Sequence, residues 1–200
     1  NEPNHTAQTR FQTFLEDDRH KPTLAQLEEA FSIEKVTKEF FEKYRTLFND
    51  LQDALDDIVS HHAVVGKDFA DKGVDIVNFA KKTLGQIVFL YFLQKKGWFG
   101  VARDKAWGTG PKNFLRQLFE ERKYTNFFND ILEPLFYEAL AREREQNYYS
   151  RFDCKIPFLN GGLFDPINEY DWIHSDILLP DALFSNHDQT KEGDTGTGIL

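Results

Sequence analysis

The sequence contains no methionine and begins with Asn1. The expectation is a segment excised from a longer chain. The far end fits, since Gly196-Thr197-Gly198-Ile199-Leu200 stops where an apolar stretch begins. A single cysteine, Cys154, excludes a disulfide framework within the chain and suits a reducing cytosol. No basic run followed by an apolar stretch opens the sequence, so no signal peptide is expected. Long hydrophobic runs are also missing. The longest, 87–93, falls far short of the about 20 residues that cross a bilayer, so it reads as a buried helix with no membrane partner. Positive charge is scarce, with a formal net charge of −9. An acidic body repels phosphate, which argues against non-specific nucleic-acid binding over the whole surface but leaves room for a local basic patch.

What is present is core-forming material. Hydrophobic residues make up 40% of the chain and Phe alone occurs 20 times, mostly at helical spacing. The pattern predicts a mainly α fold, an irregular multi-helix bundle with a short hairpin or ordered loop near 154–168. Residues 1–22 read as a polar arm, 23–184 as the helical domain and 185–200 as a flexible linker toward a downstream domain. Thr23 suits the N-cap of a short helix, with Gln26 in the capping-box position. Ser32 then caps a long helix. Its residues Ile33, Val36, Phe40, Tyr44, Leu47, Phe48, Leu51, Leu55 and Ile58 share one face that should bury. Gly66 is expected to close this segment and Asp68 to start the next helix, which reaches Lys96. That helix is apolar all round from Ile87 onward, so its end should be the centre of the bundle. Gly97 is its expected C-cap. Pro111 suits the first turn of a helix carrying Phe114, Leu115, Leu118 and Phe119. A further helix carries Phe127, Phe128, Ile131, Leu132, Leu135, Phe136 and Leu140, with Pro134 as a kink.

Several short motifs touch on chemistry. The glycines of 193–198 resemble a nucleotide or S-adenosylmethionine loop, but no strand pattern precedes them, so a surface loop is expected. Asp153-Cys154-Lys155 fits the acid-x-Lys half of a Mg²⁺ nuclease site. The strand that should bring a second acid is not found upstream, which favours a structural role. His61 and His62 are adjacent, a spacing unsuited to one metal ion. No catalytic, cofactor-binding or metal-ligating residue is therefore assigned. Asn160-Gly161-Gly162 signals a tight turn or a docking surface.

The strongest signal lies in 95–116. Lys95, Lys96, Arg103, Lys105, Lys112 and Arg116 face one acid, Asp104, and Trp98, Phe99 and Trp107 are interleaved with glycines. Cations neutralise phosphates, aromatic rings stack or wedge, and glycine lets the backbone approach closely. The candidate nucleic-acid contacts are Lys95, Lys96, Trp98, Arg103, Lys105, Trp107, Lys112 and Arg116. The competing reading has both indoles capping the core beneath ordinary surface charges.

Four segments carry a family resemblance. They are Phe31-Ser-Ile-Glu-Lys-Val-Thr-Lys-Glu-Phe-Phe-Glu-Lys-Tyr44, Leu90-Tyr-Phe-Leu-Gln-Lys-Lys-Gly-Trp98, Gly110-Pro-Lys-Asn-Phe-Leu115 and Ile156-Pro-Phe-Leu-Asn-Gly-Gly-Leu-Phe164. In this order, across roughly 31–184, the chain resembles the helical connector of type IIG restriction–modification enzymes, which join an endonuclease to an N6-adenine DNA methyltransferase. The resemblance implies a scaffold between nuclease and methyltransferase domains. It implies S-adenosylmethionine and Mg²⁺ for the parent but not for this piece, DNA as partner through the parent, and a cytoplasmic setting. No Asn-Pro-Pro motif occurs, so no catalytic residue is carried over. The alternative is a helical protein-interaction module with no nucleic-acid role.

Overall fold

The computed structural model describes residues 23, 33–159, 161–184 and 199–200. The expected arm over 1–22, the helix after Thr23, the Ser32 cap, Asn160 and the linker with its glycine run at 193–198 lie outside the described residues. The chain divides into two compact units, 1–46 and 47–200. The described architecture is mainly α-helical, with one two-stranded antiparallel pair.

Helix α1 spans Ile33–His61. Among the described residues of the first unit, Phe40 does not bury as expected: it is 55% exposed, with its ring centroid 6.0 Å from that of Tyr44. In the second unit the same stripe is covered, and Leu51, Leu55 and Ile58 are buried. Helix α2 spans Ala63–Lys72. Gly66 therefore sits inside a helix instead of closing one. A Cβ there would lie 2.5 Å from the Val59 carbonyl oxygen, so glycine is what lets α2 press against the end of α1. Asp68 is no N-cap either. Its carboxylate accepts the Asp171 amide at 2.9 Å and the Ser175 hydroxyl at 3.2 Å. The break falls at Gly73, in the left-handed region at φ 62°. Asp75 then caps α3, Ile76–Lys96, by accepting the Asn78 amide at 2.8 Å.

Helix α3 is long and apolar enough to cross a membrane by length and composition. In this fold one side of it is packed with aromatic rings. Phe79 meets Tyr170 at 5.3 Å and Phe128 at 6.3 Å, and Phe89 meets Phe164 at 5.9 Å. Its buried amides are tied down, Gln86 donating to the Leu163 carbonyl and Gln94 accepting the Leu115 amide. The end of α3 is not the centre of the fold, however. Val88 and Phe92 are 52% and 54% exposed. The centre of the second unit is the helix over 127–140, where residues 131–137 are all buried.

That helix is wide, with π-helical geometry over Phe128–Leu132 and Leu135–Leu140. Pro134 sits between the two stretches. Proline has no amide proton to give the carbonyl of Asp130 one turn earlier, and that carbonyl accepts from Arg151 at 2.7 Å instead. Helix α4, Phe114–Glu121, buries Phe114, Leu115, Leu118 and Phe119 as the spacing predicts. It starts three residues beyond Pro111, which belongs to the preceding loop. Strands β1, Tyr148–Tyr149, and β2, Cys154–Lys155, pair antiparallel with Tyr148 opposite Lys155. The described residues 161–168 form an ordered loop with two 3₁₀ turns.

Candidate functional site

The 97–112 loop is held from inside. Gly97 caps α3 at φ 70°, and its amide and that of Trp98 reach back to the Gln94 and Leu93 carbonyls. Its own carbonyl accepts the amides of Gly108 at 2.9 Å and Gly110 at 3.0 Å. A Cβ on Gly97 would run into the Gly108 carbonyl, so this close return of the chain requires glycine. Phe99 is fully buried and meets Phe114 edge to face at 4.9 Å. Val101, also fully buried, exchanges both backbone hydrogen bonds with Lys155. The residues that plug the core are thus Phe99 and Val101. Trp98 and Trp107 stay 46% and 42% exposed. The Gly97–Gly108 hydrogen bond brings the chain at the two tryptophans side by side.

The cations have different surroundings. Lys95, Lys96, Arg103, Lys105 and Lys112 are exposed. The Lys96 ammonium lies 5.7 Å from the Phe92 ring centre, and Lys105 pairs loosely with Asp104 at 3.7 Å. The guanidinium of Arg103 sits over the Tyr148 ring at 4.6 Å. Lys112 folds back over Gly97. Arg116 is half-buried and donates to the Leu200 carbonyl at 2.7 Å, so it acts as an anchor for the chain end as well as a charge.

Two residues outside 95–116 complete the cluster. Lys155 places its ammonium 5.2 Å from the Trp107 ring centre and donates to the Lys105 carbonyl. Tyr148 supports Arg103 and donates its hydroxyl to Asp153 at 2.5 Å. That bond to a carboxylate holds the Tyr148 phenol above its usual pKa. The acid-x-Lys motif is thereby split: Asp153 serves Tyr148 while Lys155 serves the loop. Cys154 between them is buried, and burial pushes its thiol up to about 12. Among the described residues no three His, Cys, Asp or Glu side chains gather as metal ligands. His61 turns back to Asp57 at 3.1 Å, and His62 is an exposed helix cap.

A second polar group lies in the core. Glu133 is fully buried and accepts the Tyr170 hydroxyl at 2.6 Å, while the Tyr170 and Tyr137 hydroxyls lie 3.1 Å apart. Burial raises the Glu133 carboxyl well above its ordinary range, helped by the nearby Asp176 and Asp130, and only the Tyr170 hydrogen bond pulls it down. Glu133 Oε2 and Gln86 Oε1 have no hydrogen-bond partner among the described residues. The sequence offered no sign of this cluster beyond one acid in an apolar helix.

The Gly161-Gly162 segment docks on α3. Lys82 donates to the Gly162 carbonyl at 3.0 Å, Phe164 inserts between Phe89 and Phe136, and Leu163 is left 39% exposed. No protein-family model, curated protein or solved structure matches the chain.

Proposed function

We propose that this chain is the helical connector of a type IIG-like restriction–modification protein and that its 95–116 loop, joined by Lys155, contacts the DNA backbone. In this reading the parent methylates adenine N6 with S-adenosylmethionine in the cytoplasm and, where its nuclease is intact, cuts DNA with Mg²⁺, both in neighbouring domains. The chain itself keeps those domains in register. The observation that supports a DNA contact is a glycine-tethered loop that buries Phe99 and Val101 yet leaves two indoles and five cations at the surface. The acidic remainder turns to solvent or to neighbouring domains.

The test is duplex binding by the 200-residue chain as salt is varied. If about four phosphates are neutralised, affinity falls on the order of a hundredfold between 50 and 200 mM salt. Changing Lys95, Lys96, Arg103 and Lys105 together to Glu abolishes binding. Unchanged binding in that variant sinks the assignment.

A second reading is a protein-interaction module. It draws on Val88 and Phe92, one turn apart on α3 and more than half exposed, and on the exposed Leu163. Absence of duplex binding even at low salt favours it.

A further inference from the structure

We infer that the loop surface takes single-stranded DNA, with Trp98 and Trp107 as platforms for unstacked bases and Arg103, Lys105 and Lys155 as its phosphate contacts. This rests on the reading that the loop contacts DNA and goes one step further, to the form of DNA it accepts.

The argument is one of complementary surfaces. In a duplex the flat faces of the bases are covered by their neighbours, and a protein meets phosphates and groove edges. A cationic surface is sufficient for that contact. In a single strand the base faces are open, and aromatic rings beside positive charges match them. The loop presents that combination. Its two indoles are close to half exposed although Phe99 and Val101 already close the core. The Gly108 amide bonded to the Gly97 carbonyl at 2.9 Å sets the chain at Trp98 next to the chain at Trp107.

Charge lies against the rings themselves. The Lys155 ammonium sits over one face of the Trp107 ring, 5.2 Å from its centre, and donates to the Lys105 carbonyl. The Arg103 guanidinium covers Tyr148 at 4.6 Å, and a guanidinium plane is itself a surface on which a base can stack. Among the described residues, Asp104 is loosely paired with Lys105 and Asp153 is taken by the Tyr148 hydroxyl. The rings and cations come from two segments fixed together by the Val101–Lys155 pairing, so the platform exists before any ligand arrives.

The experiment compares an oligothymidylate of about 16 nucleotides with a duplex of equal length, using the 200-residue chain. Anisotropy of a labelled oligonucleotide gives affinity, and intrinsic tryptophan emission reports stacking. The expected result is quenching by the single strand and affinity about tenfold above that for duplex. Trp98→Ala and Trp107→Ala each lower single-strand affinity by about tenfold, a larger loss than either causes for duplex. Phenylalanine at either position restores most of the loss, because a ring still stacks. Equal affinity for both DNA forms, or binding without quenching, overturns the single-strand assignment and leaves the backbone contact standing. No binding to either form overturns both.

Discussion

Glu133 offers a quantitative test of how the core is built. The carboxyl is fully buried, takes a hydrogen bond from Tyr170 on one oxygen and, among the described residues, has no hydrogen-bond partner on the other. Its pKa is raised in the folded state, chiefly by burial. In the unfolded chain it titrates near the ordinary value of about 4.3. Between the two values the native state holds a proton that the unfolded state has lost. Stability contributed by this group is therefore complete below about pH 4.3 and falls as pH rises, by about 1.4 kcal/mol per pH unit, until the folded pKa is passed. Glu133→Gln keeps the shape and the acceptor for Tyr170 while removing the charge. The variant should match the wild type near pH 4.5 and gain on it by about 1.4 kcal/mol per unit above that. Urea unfolding followed by far-UV circular dichroism at a series of pH values measures the difference. Parallel curves for the two proteins between pH 4.5 and 7 would refute the reasoning. Tyr170→Phe removes the only group that lowers the Glu133 pKa and should cost about 1–3 kcal/mol at acid pH.

Other contacts carry sharper local predictions. Gly66→Ala should destabilise the protein by roughly 1–3 kcal/mol, despite alanine's better helix propensity, because of the Val59 carbonyl at 2.5 Å; thermal unfolding reads this directly. Phe164→Ala should cost about 3–5 kcal/mol, since the ring is wedged between Phe89 and Phe136, and limited proteolysis should then cut near Gly161 first. Cys154 should resist a thiol reagent at pH 8 in the folded protein and react at once in urea, because burial keeps the thiol protonated with a pKa of about 12. Rapid labelling of the folded protein would contradict its buried position.

The helices were legible because their signals are local. Phe114, Leu115, Leu118 and Phe119 recur at helical spacing and all four are buried, and Gly97 ends α3 because glycine accepts the left-handed conformation needed there. A residue's role is hidden from the sequence where it depends on a partner distant along the chain. Gly66 looks like a terminator by composition, and only the Val59 carbonyl makes it a packing glycine. The 127–140 helix is read from its spacing as a helix with a kink at Pro134, and nothing in that spacing marks it as central. Its central position depends on Tyr170, which donates to one oxygen of Glu133, and on Arg151, which donates to the Asp130 carbonyl that Pro134 leaves open. An all-round apolar stretch in α3 suggested the reverse, yet Val88 and Phe92 face outward.

The basic loop shows the same division and adds a consequence for experiment. Its composition could be read directly, but Lys155 and Tyr148 belong to it through strand pairing, and nothing near either residue in sequence indicates that. The pairing also separates two duties that composition leaves mixed. Phe99 and Val101 are the fully buried residues of the loop, while Trp98 and Trp107 stay close to half exposed. Replacing Phe99 therefore removes the platform together with its support, and lost binding in that variant is uninformative about ligand contact. Replacing Trp98 or Trp107 leaves the Gly97 carbonyl bonds and the Val101–Lys155 pairing in place. Lost DNA affinity in those variants, with unfolding temperature unchanged, is a statement about the surface alone.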